Sequence, residues 1–210
     1  MTMKSTLFLC ILCFLAISAC AQTSSSLDER VKQFLEDHRH QWHDMNIPYQ
    51  DGQVLYDLII EHNYTSALEI GTSTGHSTIW LAWALSKTGG KLITIEIDER
   101  RHREALENLK AAGLLAYVDA RLADAHALVK ELEGPFDFVF SDADKDWYTQ
   151  YFKDIDPKLE VGGCFTAHNV QNNFGGIREF MEYVQQQDNY DTSINKTSSS
   201  GISISYKRAE

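Results

Sequence analysis

The sequence predicts an α/β fold built on a doubly wound, mostly parallel sheet. Short apolar runs alternate with amphipathic stretches from residue 67 onward. This alternation is typical of parallel strands joined by right-handed helical crossovers. The chain has 210 residues, 43% of them hydrophobic, which is enough for one core of ordinary domain size. We therefore expect a single Rossmann-like domain over residues 30–210.

Seven strands are predicted, over residues 67–70, 92–95, 117–122, 136–140, 163–167, 190–194 and 201–207. Helical patterns precede and separate them, over residues 27–43, 54–63, 77–86, 101–112, 126–132, 148–155 and 177–187. The last two strands follow each other closely, unlike the earlier ones. We expect them to form a closing hairpin that adds an antiparallel C-terminal strand to the sheet.

The first 21 residues have the three parts of an export signal. Lys4 precedes an apolar run over residues 7–17, and small residues follow it around Cys20. The run is too short to span a membrane comfortably. Residues 17–20 resemble a bacterial lipobox with Cys20 as the lipidated residue, but cleavage before Gln22 and an uncleaved anchor fit as well. We expect an exported or membrane-anchored protein, a bacterial lipoprotein, with residues 22–29 as a tether and the side of the membrane left open.

The net charge disfavours one class of protein, and the cysteine content excludes another. The formal net charge of −11 opposes binding to a phosphate backbone, so no nucleic-acid partner is expected. Three of the four cysteines lie in the leader, and only Cys164 belongs to the body of the domain. A disulfide framework is therefore excluded from the mature domain.

A glycine-rich turn after the first predicted strand is a candidate binding loop. Gly71 and Gly75 flank it, where backbone amides at a helix N-terminus can approach a ligand. The turn lacks the patterns of a P-loop and of a dinucleotide fold. About 20 residues later Glu96 ends the second strand, where a carboxylate can bind ribose hydroxyls. Each feature alone also fits a structural turn or a solvated strand end. Together they indicate a nucleoside ligand without phosphate, such as S-adenosylmethionine.

Several motifs in order resemble the catechol and caffeoyl-coenzyme A type of O-methyltransferase, a family of small metal-dependent enzymes. The resemblance runs from about residue 31 to residue 207. It rests on Leu68-Glu69-Ile70-Gly71 with Thr74-Gly75 and Ser77, Thr94-Ile95-Glu96-Ile97-Asp98, Phe138-Val139-Phe140-Ser141-Asp142-Ala143-Asp144-Lys145 with Tyr148, and Gly162-Gly163 ahead of Asn169.

The resemblance implies transfer of a methyl group from S-adenosylmethionine to a hydroxyl of a small catechol-like or other aromatic acceptor, with help from a divalent metal. The implied cofactor contacts are Met45 and the segment around Asp51 at the entrance, Glu69, Gly71 and Ser77 at the methionine part, Glu96 at the ribose, Asp124 and Ala125 beside the adenine, and Asp142. The implied metal ligands are Asp142, position 168 and Asn169. Lys145 falls where the family places its general base. A homodimer through the N-terminal helix is also implied.

One implied metal position departs from the family. The residue before Asn169 is usually an aspartate, whereas His168 here supplies an imidazole. Three oxygen ligands suit Mg²⁺ or Ca²⁺, but an Asp, His and Asn set suits Mn²⁺, Fe²⁺, Co²⁺ or Zn²⁺ better. The alternative is that His168 is a catalytic acid or base in a site that has lost its metal.

Other functions stay open at this point. The chain fits a methyltransferase that acts on a thiol, an amine or a modified nucleoside without a metal. It also fits an exported, non-catalytic binding module on the same fold. Trp147, Tyr148 and Phe174 are candidates for the wall of an acceptor site, or equally for core packing.

Overall fold

A computed structural model describes residues 26–172 and 174–210 of the chain, which contain seven strands and seven α-helices. The strands are β1 Ser66–Ile70, β2 Lys91–Glu96, β3 Val118–Leu122, β4 Phe136–Ser141, β5 Leu159–His168, β6 Tyr190–Asn195 and β7 Ile202–Lys207. The helices are α1 over residues 26–37, α2 Tyr49–His62, α3 His76–Thr88, α4 Glu99–Ala112, α5 Ala125–Glu131, α6 Tyr148–Ile155 and α7 Ile177–Gln185.

The strands form one sheet in the order β3-β2-β1-β4-β5-β7-β6. β1 pairs in parallel with β2 and β4, β2 with β3, and β4 with β5, whereas β7 runs antiparallel to β5 and β6. The Rossmann-like, mostly parallel sheet and its antiparallel C-terminal strand are therefore confirmed.

Helices cover both faces of the sheet. On one face, Leu55 of α2 and Leu81 of α3 pack against Phe138 and Phe140 of β4, and α1 and α4 extend this layer. On the other face, side chains of α5, α6 and α7 pack against β1 and β5. Burial on both faces explains why the central strands read as continuous apolar runs.

The register of the central strands brings their carboxyl ends to one edge. Ile70 of β1 pairs with Ile95 of β2 and Ser141 of β4, and Ser141 pairs with Ala167 of β5. The residues that follow each strand therefore meet in space. The connection from β1 to β2 and the connection from β3 to β4 lie on opposite faces of the sheet. The carboxyl ends of β1 and β4 therefore border a crevice, which is a topological switch point.

Several elements differ from the sequence prediction in length; α2, for example, begins at Tyr49 although the pattern predicts a start at residue 54. α1 begins at residue 26 and ends at residue 37, so the tether predicted over residues 22–29 overlaps it at residues 26–29. Asp28 accepts a hydrogen bond from Trp83 Nε1 at 2.7 Å, which ties this first turn to α3. β5 begins four residues before the predicted start. The sequence pattern missed these residues because Glu160 and Val161 are exposed and lack a buried-strand pattern.

The predicted leader over residues 1–21 lies outside the residues that the structure describes. Within those residues, none of the helices has the length and apolarity needed to cross a membrane.

Candidate active site

A cavity of about 790 Å³ lies at the carboxyl ends of the central strands. One end of the cavity is bounded by Glu96 and the start of α5, and the other by Asp142, Lys145, His168 and Asn169. The cavity is continuous between these two ends. The cavity can therefore hold one elongated ligand, or two ligands end to end.

The glycine turn forms the floor between these two ends. Gly71 has a φ of +104°, which strains a residue with a side chain. A Cβ at this position would lie 2.7 Å from the Asp142 carbonyl oxygen. Gly71 N donates to the Ile95 carbonyl oxygen at 3.0 Å. The turn therefore needs glycine both for its conformation and for the close approach of β1 and β4.

Glu96 lies at the end of β2 and is 5% exposed. One carboxylate oxygen accepts from Ser73 N at 2.8 Å. The other accepts from Ile97 N at 3.0 Å and Asp98 N at 2.9 Å. The carboxylate thus shapes the loops on either side of it while it faces the cavity, which suits a hydroxyl-bearing ligand.

A segment over residues 43–46, the strap, crosses the glycine turn and carries Met45, which is 72% exposed and lines the cavity. Asn46 Nδ2 donates to Thr74 Oγ1 at 2.7 Å, and Asp44 pairs with Arg100 of α4 at 2.5 Å. The strap is therefore fixed at both the turn and the following helix.

The start of α5 bounds the cavity near Glu96. Asp124 caps this helix by accepting from His126 N at 2.9 Å, and Ala125 lines the cavity beside it. The His126 ring stacks on Trp147 at 3.9 Å between centroids and lies 3.3 Å from Asp144 Oδ2. Trp147 thus supports the cavity wall through His126.

Five side chains form a continuous chain of hydrogen bonds at the opposite end. Lys145 Nζ donates to Asp142 Oδ1 at 2.6 Å, and His168 Nδ1 lies 3.2 Å from Asp142 Oδ2. His168 Nε2 lies 2.8 Å from Asp51 Oδ2, which also accepts from Ser198 Oγ at 2.7 Å. His168 and Asp51 are 3% and 1% exposed, so this cluster is largely withdrawn from water.

The two carboxylates decide the charge of the imidazole. Burial alone would lower the pKa of His168, but hydrogen bonds to Asp142 and Asp51 outweigh it and raise the pKa to about 9. Burial would likewise raise the pKa of Asp142, but contacts with His168 and Lys145 hold it below its ordinary value. The cluster therefore contains an imidazolium and a carboxylate at neutral pH.

Nine of the predicted site residues line the cavity: Met45, Gly71, Glu96, Asp124, Ala125, Asp142, Lys145, His168 and Asn169. Glu69 and Ser77 do not belong to its lining in the part of the chain that the structure describes. Glu69 Oε2 accepts from Thr78 Oγ1 and Thr94 Oγ1 at 2.6 Å, and Oε1 has no partner. Burial raises the pKa of Glu69 to about 7, against the hydrogen bonds that it accepts. The cofactor roles implied for these two residues remain predictions.

The candidate aromatic residues separate into wall and core. Phe174 is 52% exposed and lines the cavity, as expected for an acceptor wall. Tyr148 is fully buried, and its hydroxyl donates to the His168 carbonyl oxygen at 3.3 Å. Tyr148 therefore supports the end of β5 from within the core.

Sequence reasoning did not assign Asp51 to the polar cluster. Its position on α2, far from β5 in sequence, gives no local motif. The resemblance places the segment around Asp51 only at the site entrance. A second signal was an acidic residue on the apolar face of a helix, because Asp51 shares that face with Leu55 and Leu58.

The implied metal ligands do not fit a divalent ion as they are arranged. Each ring nitrogen of His168 faces a carboxylate oxygen, and each oxygen of Asp142 is already bound to a cationic side chain. Among the residues that the structure describes, no three His, Cys, Asp or Glu side chains are placed to hold a metal ion. The atoms of His168 and Asp142 that would bind a metal ion are thus hydrogen-bonded to other side chains.

Comparison with known proteins gives the family. A model of the O-methyltransferase family matches residues 18–197. The catechol O-methyltransferase of Niastella koreensis is 48% identical over 107 residues, which are 49% of this chain and 48% of that protein. The caffeoyl-CoA O-methyltransferase 1 of Eucalyptus globulus is 32% identical over 137 residues, 63% of this chain and 55% of that protein. The chain spans about half the length of the curated relatives it matches.

Solved structures agree with this result. The O-methyltransferase from Bacillus cereus, determined in complex with SAH, has a TM-score of 0.75 and 27% identity over 86% of this chain and 91% of that one. The O-methyltransferase TomG from Streptomyces achromogenes, determined in complex with SAM, has a TM-score of 0.75 and 25% identity over 86% of this chain and 90% of that one. Since the family model covers well over half of the sequence and the folds match, the chain belongs to the O-methyltransferase family.

Proposed function

We propose that this chain transfers the methyl group of S-adenosylmethionine to a hydroxyl of a small, catechol-like or other aromatic acceptor. One observation carries the proposal: a single cavity joins Glu96 and the glycine turn at one end to Lys145 and Asp142 at the other. The related Bacillus and Streptomyces structures, determined in complex with SAH and SAM, support the choice of cofactor. The catechol O-methyltransferase of Niastella koreensis supports the choice of acceptor.

The cofactor occupies the Glu96 end in this proposal. Glu96 accepts hydrogen bonds from the ribose hydroxyls, and Asp124 and Ala125 lie beside the adenine. The methyl group then points along the cavity toward Lys145. Holding the sulfonium and the acceptor oxygen in line supplies most of the acceleration, because the displacement needs little more than correct positioning and an anionic oxygen.

Lys145 acts as the base in the transfer step. Lys145 gives up one proton of its resting ammonium before the step. The amine then takes the proton of the acceptor hydroxyl, and Asp142, 2.6 Å away, stabilises the ammonium that forms again. The oxygen forms a bond to the methyl carbon while the carbon–sulfur bond breaks. The electron pair of that bond stays on sulfur, which gives S-adenosylhomocysteine and the methyl ether.

The mouth of the cavity favours an apolar, planar acceptor. Met45 and Phe174 line it with exposed apolar surface, at 72% and 52% exposure. Such side chains gain stability when an aromatic ring covers them. Lys145 then supplies the polar contact that orients the hydroxyl.

Calorimetric titration of S-adenosylmethionine into the full chain tests the proposal, together with mass-spectrometric detection of methylated catechol. Glu96→Ala should weaken cofactor binding about tenfold or more, because it removes charge-assisted hydrogen bonds. Glu99→Ala is the matched control, since Glu99 is an exposed carboxylate on α4 that pairs with Arg103. A folded sample that binds no cofactor would overturn the proposal and favour the non-catalytic binding module.

We also infer that residues 1–21 export the chain or anchor it to a membrane, with Cys20 as the lipidated residue. The support is the sequence pattern alone. The mass of the mature N-terminus decides between an acylated Cys20, a start at Gln22 and a retained leader. Size-exclusion chromatography with light scattering on the same material tests the homodimer implied by the resemblance.

A further inference from the structure

We propose that the His168 imidazole, held between Asp51 and Asp142, takes the place of a divalent metal ion, so that this chain transfers methyl groups without one. The inference rests on the proposed function and departs from the metal dependence that the family resemblance implies. It follows from hydrogen-bond geometry at three side chains.

Both ring nitrogens of His168 are engaged by acceptors. Nε2 lies 2.8 Å from Asp51 Oδ2, and Nδ1 lies 3.2 Å from Asp142 Oδ2. An ionised carboxylate only accepts hydrogen bonds, so each ring nitrogen must carry a proton to bond with it. A protonated nitrogen has no lone pair for a metal ion. His168 therefore cannot serve as a ligand in this arrangement.

The charges of the cluster balance without an ion. Lys145 and His168 supply two positive charges, and Asp51 and Asp142 supply two negative ones. An aspartate at position 168, as in the related family, would instead leave an excess of negative charge for a cation to neutralise. A dication added to the present cluster would lie beside two cationic side chains, which Coulomb repulsion opposes in a buried site.

Asp51 is the positioning residue for His168. It is 1% exposed, and its Oδ2 receives both His168 Nε2 and the Ser198 hydroxyl. Ser198 Oγ also accepts from Ser200 N at 3.1 Å, which fixes the turn between β6 and β7. The ring is thus held from α2 and from this turn, and its other edge is presented to Asp142 at the cavity.

His168 acts on the reaction through Asp142. By donating to Oδ2 it satisfies one oxygen of that carboxylate, and Lys145 binds the other. Asp142 then stabilises the ammonium of Lys145 after the acceptor proton has moved. The positive charge beside the forming phenolate comes from side chains instead of an ion.

Titration of Mn²⁺ into the full chain, followed by calorimetry, tests the proposal. We expect negligible Mn²⁺ binding by the wild type and a gain of about tenfold or more in affinity for His168→Asp, which restores a three-oxygen ligand set. Adding Asn169→Ala to that variant should remove the gain. Tight Mn²⁺ binding by the wild type that His168→Ala abolishes would overturn the proposal.

Nitrogen-15 NMR of the wild-type imidazoles provides a second test that needs no variant to fold. At neutral pH, His168 should show protons on both nitrogens. A single protonated nitrogen in the wild type would contradict the geometry on which the proposal depends. Methyl transfer should also be unchanged by a chelator.

Titration of S-adenosylmethionine into the same samples separates the two proposals. Cofactor binding together with tight metal binding at His168 would overturn this inference and leave the proposed function intact. Loss of cofactor binding in a folded wild type, with the imidazole protonated as described, would overturn the proposed function alone.

Discussion

His76 and His168 are the same side chain in two equally buried places, but His76 is neutral and His168 is cationic. They are 2% and 3% exposed. His76 Nδ1 donates to the Ile47 carbonyl oxygen at 3.0 Å, and its Nε2 accepts from Trp80 Nε1 at 3.2 Å. Burial lowers the pKa of His76 to about 4, whereas the carboxylates around His168 raise its pKa to about 9.

Burial therefore determines the free-energy cost of a charge, whereas the hydrogen-bond partners determine whether the charge forms. A carbonyl and an indole N–H specify one neutral tautomer at His76, beside the strap and the glycine turn. Two carboxylates specify an imidazolium at His168, beside Lys145. The first histidine belongs to the packing of the fold, and the second belongs to the charge arrangement of the site.

The largest effect should follow a change in the charged region that leaves packing alone. Lys145→Met should lower the rate of methyl transfer about 100-fold or more, because it removes the base while retaining the length of the side chain. Single-turnover rates at saturating cofactor, measured by mass spectrometry, test this. Cofactor affinity is the internal control and should stay within about twofold. A rate within about tenfold of the wild type would exclude Lys145 as the base.

Removing one carboxylate partner of His168 should cause the next largest effect, a loss of stability. Asp51→Asn leaves the buried imidazolium with a single anionic partner and should lower the free energy of unfolding by about 3 kcal/mol. Urea unfolding measures it. Asp57→Asn on the same helix is the control, because Asp57 is exposed and accepts a hydrogen bond from Gln53, and it should change stability by less than about 0.5 kcal/mol. Equal losses in the two variants would show that His168 does not depend on Asp51.

The two histidines should also give opposite dependences of stability on pH. His76 binds its proton at about 4 in the folded chain and near its ordinary pKa of 6.5 when unfolded, so its contribution is lost as pH falls through this window. His168 binds its proton more tightly when folded, so its contribution is present below 6.5 and lost as pH rises through about 9.

His76→Gln should therefore flatten the acid side of the wild-type curve, and His168→Gln the alkaline side, each by on the order of 2 kcal/mol. Unfolding free energies from urea titrations across the pH range test this. If either variant flattened the opposite side, the assignment of charge to the two histidines would be reversed.

The smallest effect should come from a third histidine that has carboxylate neighbours without deep burial. His126 Nδ1 lies 3.4 Å from Asp124 Oδ1, and its Nε2 lies 3.3 Å from Asp144 Oδ2. The side chain of His126 is 33% exposed. His126→Gln should cost less than about 1 kcal/mol, and the loss should shrink in high salt because exposed ion pairs are screened. A loss of stability as large as that of Asp51→Asn, independent of salt, would show that a histidine needs only partial burial to interact strongly with carboxylates.

The fold was largely predictable because its signals are local. Alternating apolar runs identified the strands, and the closely spaced last two identified the antiparallel strand. The glycine turn and Glu96 were predictable for a similar reason, since both follow strands whose carboxyl ends meet at one edge. The boundaries of α1 and β5 were less accurate, because exposed residues at their ends carry no periodic signal.

The arrangement of the polar cluster could not be predicted from local sequence. His168 was recognised as unusual at its position, but its charge depends on Asp51, 117 residues away in the chain. The burial of Glu69 is a comparable case, because Thr78 and Thr94 approach it from two other elements. Contacts between distant elements determine such groups, and only the folded chain shows them.

The close approach at Gly71 means that the glycine turn and the Asp142 carboxylate cannot change independently. Any side chain at residue 71 would meet the Asp142 carbonyl oxygen before it reached the cavity. The change would move the end of β4, and with it the Asp142 carboxylate that Lys145 and His168 share. A substitution at residue 71 would therefore disturb the hydrogen bonds of Asp142 as well as the glycine turn.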